Sequence, residues 1–105
     1  MRVLAVERFC CRLPLTERQE RILPLGSFRD ICVVHLCKVT LDDPAGTVGW
    51  GEQTQKGASD EQVARVIGKS PALLMNDDSI SIGLQMALFD ALGKALGVPC
   101  HALFR

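Results

Sequence analysis

The sequence predicts a small α+β domain in which a three-stranded antiparallel meander is followed by a bundle of helices. In the first half of the chain, apolar residues recur at every second position, which is the period of a half-buried strand. After Gly57 they recur at every third or fourth position, as on the buried face of a helix. The 105 residues suffice for one hydrophobic core and are too few for a two-domain enzyme, so one domain spanning residues 1–105 is expected.

The first strand is predicted over residues 3–13. Its buried face is expected to carry Val3, Ala5, Phe9, Cys11 and Leu13. Arg8 and Arg12 fall on the other face of this alternation, where solvent would reach them.

A long loop and a hairpin follow. Residues 16–29 are crowded with charge and contain a proline and a glycine, which predicts a long mobile loop. Alternation returns over residues 31–41 and predicts the second strand. Residues 42–46 provide a turn, because proline presets φ and glycine accepts positive φ. Residues 47–52 are therefore predicted to pair antiparallel to the second strand.

Three helices are predicted in the second half. Ser59 and Gln62 have the spacing of a capping box, so a helix begins there and ends near Gly68. Ser70 and Pro71 suit the cap and first position of a short second helix. The last helix has a broad apolar face made by Leu84, Leu88, Leu92 and Leu96, flanked by Ala87, Ala91 and Ala95.

Charge and hydropathy exclude several classes of partner. The 12 basic and 12 acidic side chains leave no net field that would attract nucleic acid or anionic lipid. Glu7 follows only four apolar residues, which is too short for the hydrophobic region of a secretory signal. No stretch approaches the roughly 18 apolar residues of a membrane helix. A cytoplasmic protein without a nucleic-acid or membrane partner is expected.

The five cysteines do not have the spacing of a disulfide framework or of a metal motif. Reduced thiols are expected. Cys32, His35 and Cys37 suggest a metal site by composition, but strand alternation turns Cys32 away from the other two. No metal ligand is therefore predicted, and His35 is interpreted as a core histidine with one hydrogen-bonded nitrogen.

Two segments resemble a known family. Residues 46–52 (GTVGWGE) look like the G-x-x-G-x-G-E hairpin of enolase-superfamily capping domains. Residues 87–99 (ALFDALGKALGVP) are similar to the A-L-x-D-x-x-G-K-x-x-G-x-P helix that joins this domain to its barrel. Occurring in this order, the two segments make the chain resemble the N-terminal capping domain of the mandelate racemase and muconate-lactonizing type, and the fold is expected to be enolase N-terminal domain-like.

The resemblance implies a division of labour between two domains. Family members carry their magnesium-binding carboxylates and their lysine or histidine acid/base residues on a (β/α) barrel that follows this region. The reaction is abstraction of a proton α to a carboxylate, with the enediolate held by magnesium. The chain lacks such a barrel, so it is expected to be a fragment without catalytic residues or a cofactor of its own. By the same likeness, Glu52 and Asp90 are structural.

In this family the capping domain excludes water and selects substrate shape through two loops. The matching positions here are the loop over residues 16–28 and the loop that follows Glu52. The residues expected to face a substrate are Arg18, Leu25, Phe28, Gln53 and Thr54. Ordinary solvated loops are the alternative interpretation of the same charged segments.

Two functions remain open. In the first, the chain is the substrate-closing domain of a magnesium-dependent racemase, cycloisomerase, epimerase or sugar-acid dehydratase and needs a barrel as its partner. In the second, it is a free-standing, non-catalytic module that forms a homo-oligomer. The surface for self-association would then comprise Trp50 and apolar residues of the last helix.

Overall fold

The computed structural model describes residues 1–22, 33–54 and 56–104. The fold is α+β, with one three-stranded antiparallel sheet and several helices, which confirms the predicted class. The elements in chain order are β1 (Val3–Arg12), α1 (Glu17–Ile22), β2 (Val33–Leu41), β3 (Val48–Gln53), α2 (Asp60–Val66), α3 (Pro71–Leu74), α4 (Ile82–Leu96) and a terminal 3-10 helix (Cys100–Phe104).

The sheet has the order β1-β2-β3, with β2 in the centre and both pairings antiparallel. The hairpin between β2 and β3 is confirmed. Its turn is fixed by Asp43, whose carboxylate accepts hydrogen bonds from the backbone N–H of Thr47 at 2.7 Å and from its hydroxyl at 2.5 Å. Gly46 has φ of 60°, the conformation that the predicted turn required of a glycine.

A bulge near the start of β1 changes which residues face the core. Val3 pairs with Leu41, but Ala5 already pairs with Thr40, so the alternation shifts by one residue between them. Beyond the bulge, Arg8 pairs with buried Cys37 and points to the core side. The faces predicted for β1 are therefore wrong after Val3. Arg8 and Arg12 share the core side, while the exposed side carries Ala5, Phe9 and Cys11, and Leu13 is also exposed.

The long loop predicted over residues 16–29 is wrong for its first part, where α1 forms. Thr16 and Gln19 make a capping box: the Gln19 N–H donates to Thr16 Oγ1 at 3.2 Å, and the Thr16 N–H donates to Gln19 Oε1 at 2.9 Å. A salt bridge of 2.6 Å between Arg21 and Glu17 spans one helical turn. Residues 23–29, and residues 31 and 32 of the predicted second strand, lie outside the described residues.

The predicted starts of α2 and α3 are confirmed. Ser59 caps α2 by accepting a hydrogen bond from the Gln62 N–H, and Pro71 is the first residue of α3. In α4, Ser81 is the N-cap and Gly97 closes the helix with φ of 69°. The core lies between α4 and the sheet, together with residues of α2 and α3. Its buried members include Val3, Cys37, Val39, Leu41, Val66, Leu74, Leu84, Ala87, Leu88 and Ala91.

Small residues allow α4 to lie directly on β3. A Cβ built on Gly51 would collide with the carbonyl oxygen of Gly83, and one built on Gly49 would collide with that of Ala87. Glycine at both positions removes these collisions, so the helix approaches the strand at backbone distance. The alternating glycines of β3 are therefore required by the packing of α4.

Candidate functional site

A cleft of about 410 Å³ lies where β3 ends and α4 begins. Two of the predicted substrate-facing residues, Gln53 and Thr54, lie in its wall. The described residues that line it are Val34, Glu52, Gln53, Thr54, Ile82 and Met86. The cleft therefore combines an apolar side from α4 with polar groups from the end of β3.

Gln53 builds the wall of this cleft. Its Oε1 accepts a hydrogen bond of 2.7 Å from the Gly83 N–H in the first turn of α4. Its Nε2 donates to the carbonyl oxygen of Lys56. The amide therefore links β3 to α4 and to the loop after β3, whereas the neighbouring Thr54 is exposed. Gln53 can shape the cleft, and Thr54 can offer its hydroxyl to a ligand.

The apolar side of the cleft comes from two α4 residues one turn apart. Ile82 is 67% exposed and Met86 is 45% exposed, although both belong to an otherwise well-packed helix. They form a stripe separate from buried Leu84 and Leu88, which face the sheet. Exposed apolar side chains beside a concave surface are typical of a site that a ligand or partner covers.

The other predicted site residues do not join this cleft among the described residues. Arg18 lies on α1 with an exposed side chain and is not one of the described lining residues. Leu25 and Phe28 lie outside the described residues. The sequence interpretation missed Val34, Ile82 and Met86. For the last two, the available signal was the i, i+4 spacing of a second apolar stripe beside the leucines.

Cys32, His35 and Cys37 suggest a metal site by composition, although no metal ligand is predicted among them. Cys32 lies outside the described residues, while His35 is half-buried and packs over Gly57. Burial raises the pKa of the Cys37 thiol, against the opposing effects of the Arg8 charge and a hydrogen bond from the Ala58 backbone.

In the described ranges, no group of three or more His, Cys, Asp or Glu side chains could hold a metal ion. The resemblance places magnesium on the barrel of the full-length family, so no chemical step is assigned to that ion on this chain.

The two segments that carry the family resemblance pack on each other. The carboxylate of Asp90 accepts a hydrogen bond of 2.9 Å from the Trp50 N–H on the outer edge of β3. Lys94 donates to the Val48 carbonyl oxygen at 3.1 Å and pairs with Asp90 at 2.7 Å. Both charged groups of the helix thus bind backbone groups of the hairpin, so two backbone groups on the outer edge of β3 have hydrogen-bond partners.

Comparisons with protein-family models, curated proteins and solved structures give no significant match. Among the helices of the described residues, none combines the length and apolar character that crossing a membrane requires.

Proposed function

We propose that this chain is the substrate-capping domain of a magnesium-dependent enzyme of the enolase superfamily, of the mandelate racemase and muconate-lactonizing type. A (β/α) barrel supplies the catalytic residues, and the chain is not catalytic by itself. The observation that carries the proposal is the direct contact between the two resembling segments. Glycines of the hairpin admit the helix, and Asp90 of the helix binds the hairpin backbone at Trp50.

The reaction of the complete enzyme removes a proton α to a carboxylate, as in a racemase, cycloisomerase, epimerase or sugar-acid dehydratase. Magnesium, bound by the barrel, stabilises the charge of the enediolate. This chain contributes a wall that excludes water and limits the shape of a small carboxylate substrate. The cleft beside Thr54 is the part of the described surface that suits this role.

The barrel would cover apolar surface that the chain leaves exposed. Ile82 and Met86 lie at the start of α4, and Leu96, Val98 and Phe104 lie at its end and just beyond. Phe104 of the terminal 3-10 helix stacks on Phe89 of α4 with ring centroids 4.8 Å apart. The terminal segment therefore extends the apolar surface of α4. Apolar surface of this kind favours a partner over permanent contact with water.

The reading frame beyond codon 105 tests this proposal. The expected result is a continuous frame that encodes a barrel of about 200 residues or more, with a lysine or histidine pair and three spaced acidic residues. A stop codon at that position in the natural gene, with no barrel encoded beside it, would contradict the proposal.

The alternative function is a free-standing module that self-associates. It is favoured by the face of the sheet that points away from α4, where Phe9 and Trp50 are 40% and 45% exposed and their ring centroids lie 5.9 Å apart. Light scattering after size-exclusion chromatography separates the two functions. The module is supported by a stable homo-oligomer that dissociates in the Trp50→Ser variant and does not change when magnesium is added. The natural gene would also have to end at codon 105.

A further inference from the structure

The two edges of the sheet differ in what they bind. At the outer edge of β3, the Trp50 N–H and the Val48 carbonyl oxygen are bonded to side chains of α4. At the outer edge of β1, the Val3 N–H donates to the Lys69 carbonyl oxygen at 2.9 Å, and the Val3 carbonyl oxygen accepts from the Gly68 N–H at 2.8 Å. Among the described residues, no other backbone group bonds to β1 along this edge. In that part of the chain, the edge of β1 is therefore open beyond Val3.

The hydrogen-bond pattern identifies the β1 residues that point to this side. Opposed residues of an antiparallel pair alternate between bonded and non-bonded positions, so successive residues direct their N–H and C=O to opposite sides. The Trp50 N–H points away from β2, so its register partner Lys38 bonds to β1, where it is paired with Glu7. From Glu7 the pattern alternates along β1. The residues that direct their backbone groups away from β2, and together form the open edge, are therefore Val6, Arg8, Cys10 and Arg12.

We propose that the open edge of β1 pairs antiparallel with the same edge of a second copy of this chain, about a twofold axis at Phe9. Phe9 is the midpoint of the open edge, which runs from Val6 to Arg12. An axis there brings Val6 opposite the partner's Arg12, and Arg8 opposite the partner's Cys10. Each bonded pair exchanges two hydrogen bonds, so the four pairs of the interface make about eight. The two three-stranded sheets then form one continuous sheet.

The charges of β1 favour this register over its neighbours. An axis at Glu7 would oppose the two Glu7 carboxylates, and an axis at Arg8 would oppose the two Arg8 guanidinium groups. An axis at Cys10 would oppose Arg8 and the partner's Arg12. Like charges directly opposite each other destabilise an antiparallel pair. With the axis at Phe9, the residues opposite both arginines are uncharged, so the edge is complementary to itself, as a twofold interface requires.

The open edge lacks the features that usually protect an edge strand from pairing, which are lysine, proline, a bulge or an unpaired inward charge. Residues 6–12 (VERFCCR) contain neither lysine nor proline, and the bulge described for β1 lies before them. The charge of Arg8 is neutralised by Asp60 of the same chain. Phe9 is 40% exposed beside the edge, and the pairing brings the two Phe9 rings together at the axis.

This pairing goes beyond the capping function and does not depend on it, because α4 packs mainly on β3, at the opposite side of the sheet. It also differs from association through the face that carries Trp50. In the edge pairing, the two Trp50 side chains are separated by five strand spacings, or about 24 Å. The dimer is therefore expected to survive the Trp50→Ser substitution.

Disulfide cross-linking of the whole chain locates the axis. Phe9→Cys and Trp50→Cys replace side chains of similar exposure, 40% and 45%. Opposed Phe9 positions form a non-bonded pair with Cα atoms about 4.5 Å apart, which a disulfide can span. Mild oxidation is expected to give about tenfold more covalent dimer for Phe9→Cys than for Trp50→Cys. Cys37 is buried and stays in both variants, while the other four cysteines are replaced by serine: Cys10, Cys11, Cys32 and Cys100.

A second pair of variants tests the backbone hydrogen bonds of the edge. Cys10→Pro removes an N–H that points away from β2, and light scattering is expected to show a dimer dissociation constant raised about tenfold or more. Cys10→Ala keeps this N–H and is expected to dimerise like wild type. Circular dichroism checks that both variants fold, and if Cys10→Pro does not, the cross-linking result decides. The proposal is overturned by a wild type that is monomeric at every concentration, by equal dissociation of the two folded Cys10 variants, or by cross-linking of Trp50→Cys as fast as of Phe9→Cys.

Discussion

The carboxylate of Asp90 in α4 accepts a hydrogen bond of 2.9 Å from the backbone N–H of Trp50 on the outer edge of β3. This bond joins the last helix to the last strand across 40 residues of sequence. Together with the contact from Lys94 to the Val48 carbonyl oxygen, it satisfies backbone groups that an edge strand would otherwise leave open. The helix is thereby held over the glycines that let it approach.

Removing this carboxylate is expected to destabilise the domain. Asp90→Ala leaves the Trp50 N–H without its partner and Lys94 without its counter-charge, so the free energy of unfolding should fall by about 1 to 2 kcal/mol. Asp90→Asn keeps an acceptor and should lose less. Urea denaturation monitored by Trp50 fluorescence measures both variants. Equal stability of wild type and Asp90→Ala would show that the bond contributes nothing.

Adding a methyl group to Gly51, one of the two β3 glycines that contact α4, is expected to destabilise the fold severely. In Gly51→Ala the new Cβ meets the Gly83 carbonyl, which is backbone and cannot rotate away, so we expect a loss of about 3 kcal/mol or failure to fold. Gly46→Ala is the control, because its Cβ would meet no atom within 4 Å. Its positive φ alone should cost about 1 kcal/mol. Similar thermal midpoints for the two variants would contradict this packing.

Gln53 and Thr54 should differ in their effect on stability. Gln53→Ala removes the links to Gly83 and Lys56, and the free energy of unfolding is expected to fall by about 1 to 2 kcal/mol. Thr54→Ala changes an exposed side chain and should stay within about 0.5 kcal/mol of wild type. Chemical denaturation of the two variants in parallel decides this. If Thr54→Ala lowered the free energy of unfolding more than Gln53→Ala, Gln53 would not be the residue that holds the cleft wall.

The hairpin turn should give the domain an acid-sensitive contribution to stability. The side-chain and backbone hydrogen bonds from Thr47 lower the pKa of Asp43 in the folded state. Its contribution is therefore fully present above the unfolded pKa of about 3.9 and is lost as the pH falls through the lower folded pKa. Asp43→Asn should flatten the decline in stability below about pH 4. An unchanged decline in urea titrations across this range would contradict the assignment.

Periodicity and turn chemistry were enough to predict the hairpin, the starts of α2 and α3 and the α+β class. Which residues of β1 face the core could not be predicted. The bulge near its start depends on the pairing with β2 and cannot be recognised from the alternation within β1 alone. Helix α1 was predictable in principle from the capping box of Thr16 and Gln19, but the surrounding charge favoured a loop.

Prediction of the candidate site was more limited. The resemblance predicts that Gln53 and Thr54, which follow the hairpin motif, face a substrate, and the structure shows that both line the cleft. Ile82 and Met86 were not predicted. A stripe of exposed apolar residues can be told from the buried stripe only once the packing of α4 on β3 is known. Arg18 was placed in a loop that turned out to be helical, and it does not line the described cleft.

The central claim is that this chain closes a site whose chemistry belongs to a barrel. Exchange of the α-proton of small carboxylates in deuterium oxide, followed by NMR, tests it most directly. The comparison is between the 105-residue chain with magnesium, the polypeptide encoded beyond codon 105, and the two joined as one chain. We predict exchange that depends on magnesium and is fast only in the joined chain. Exchange by the isolated chain, or equal exchange by the barrel with and without it, would contradict the claim.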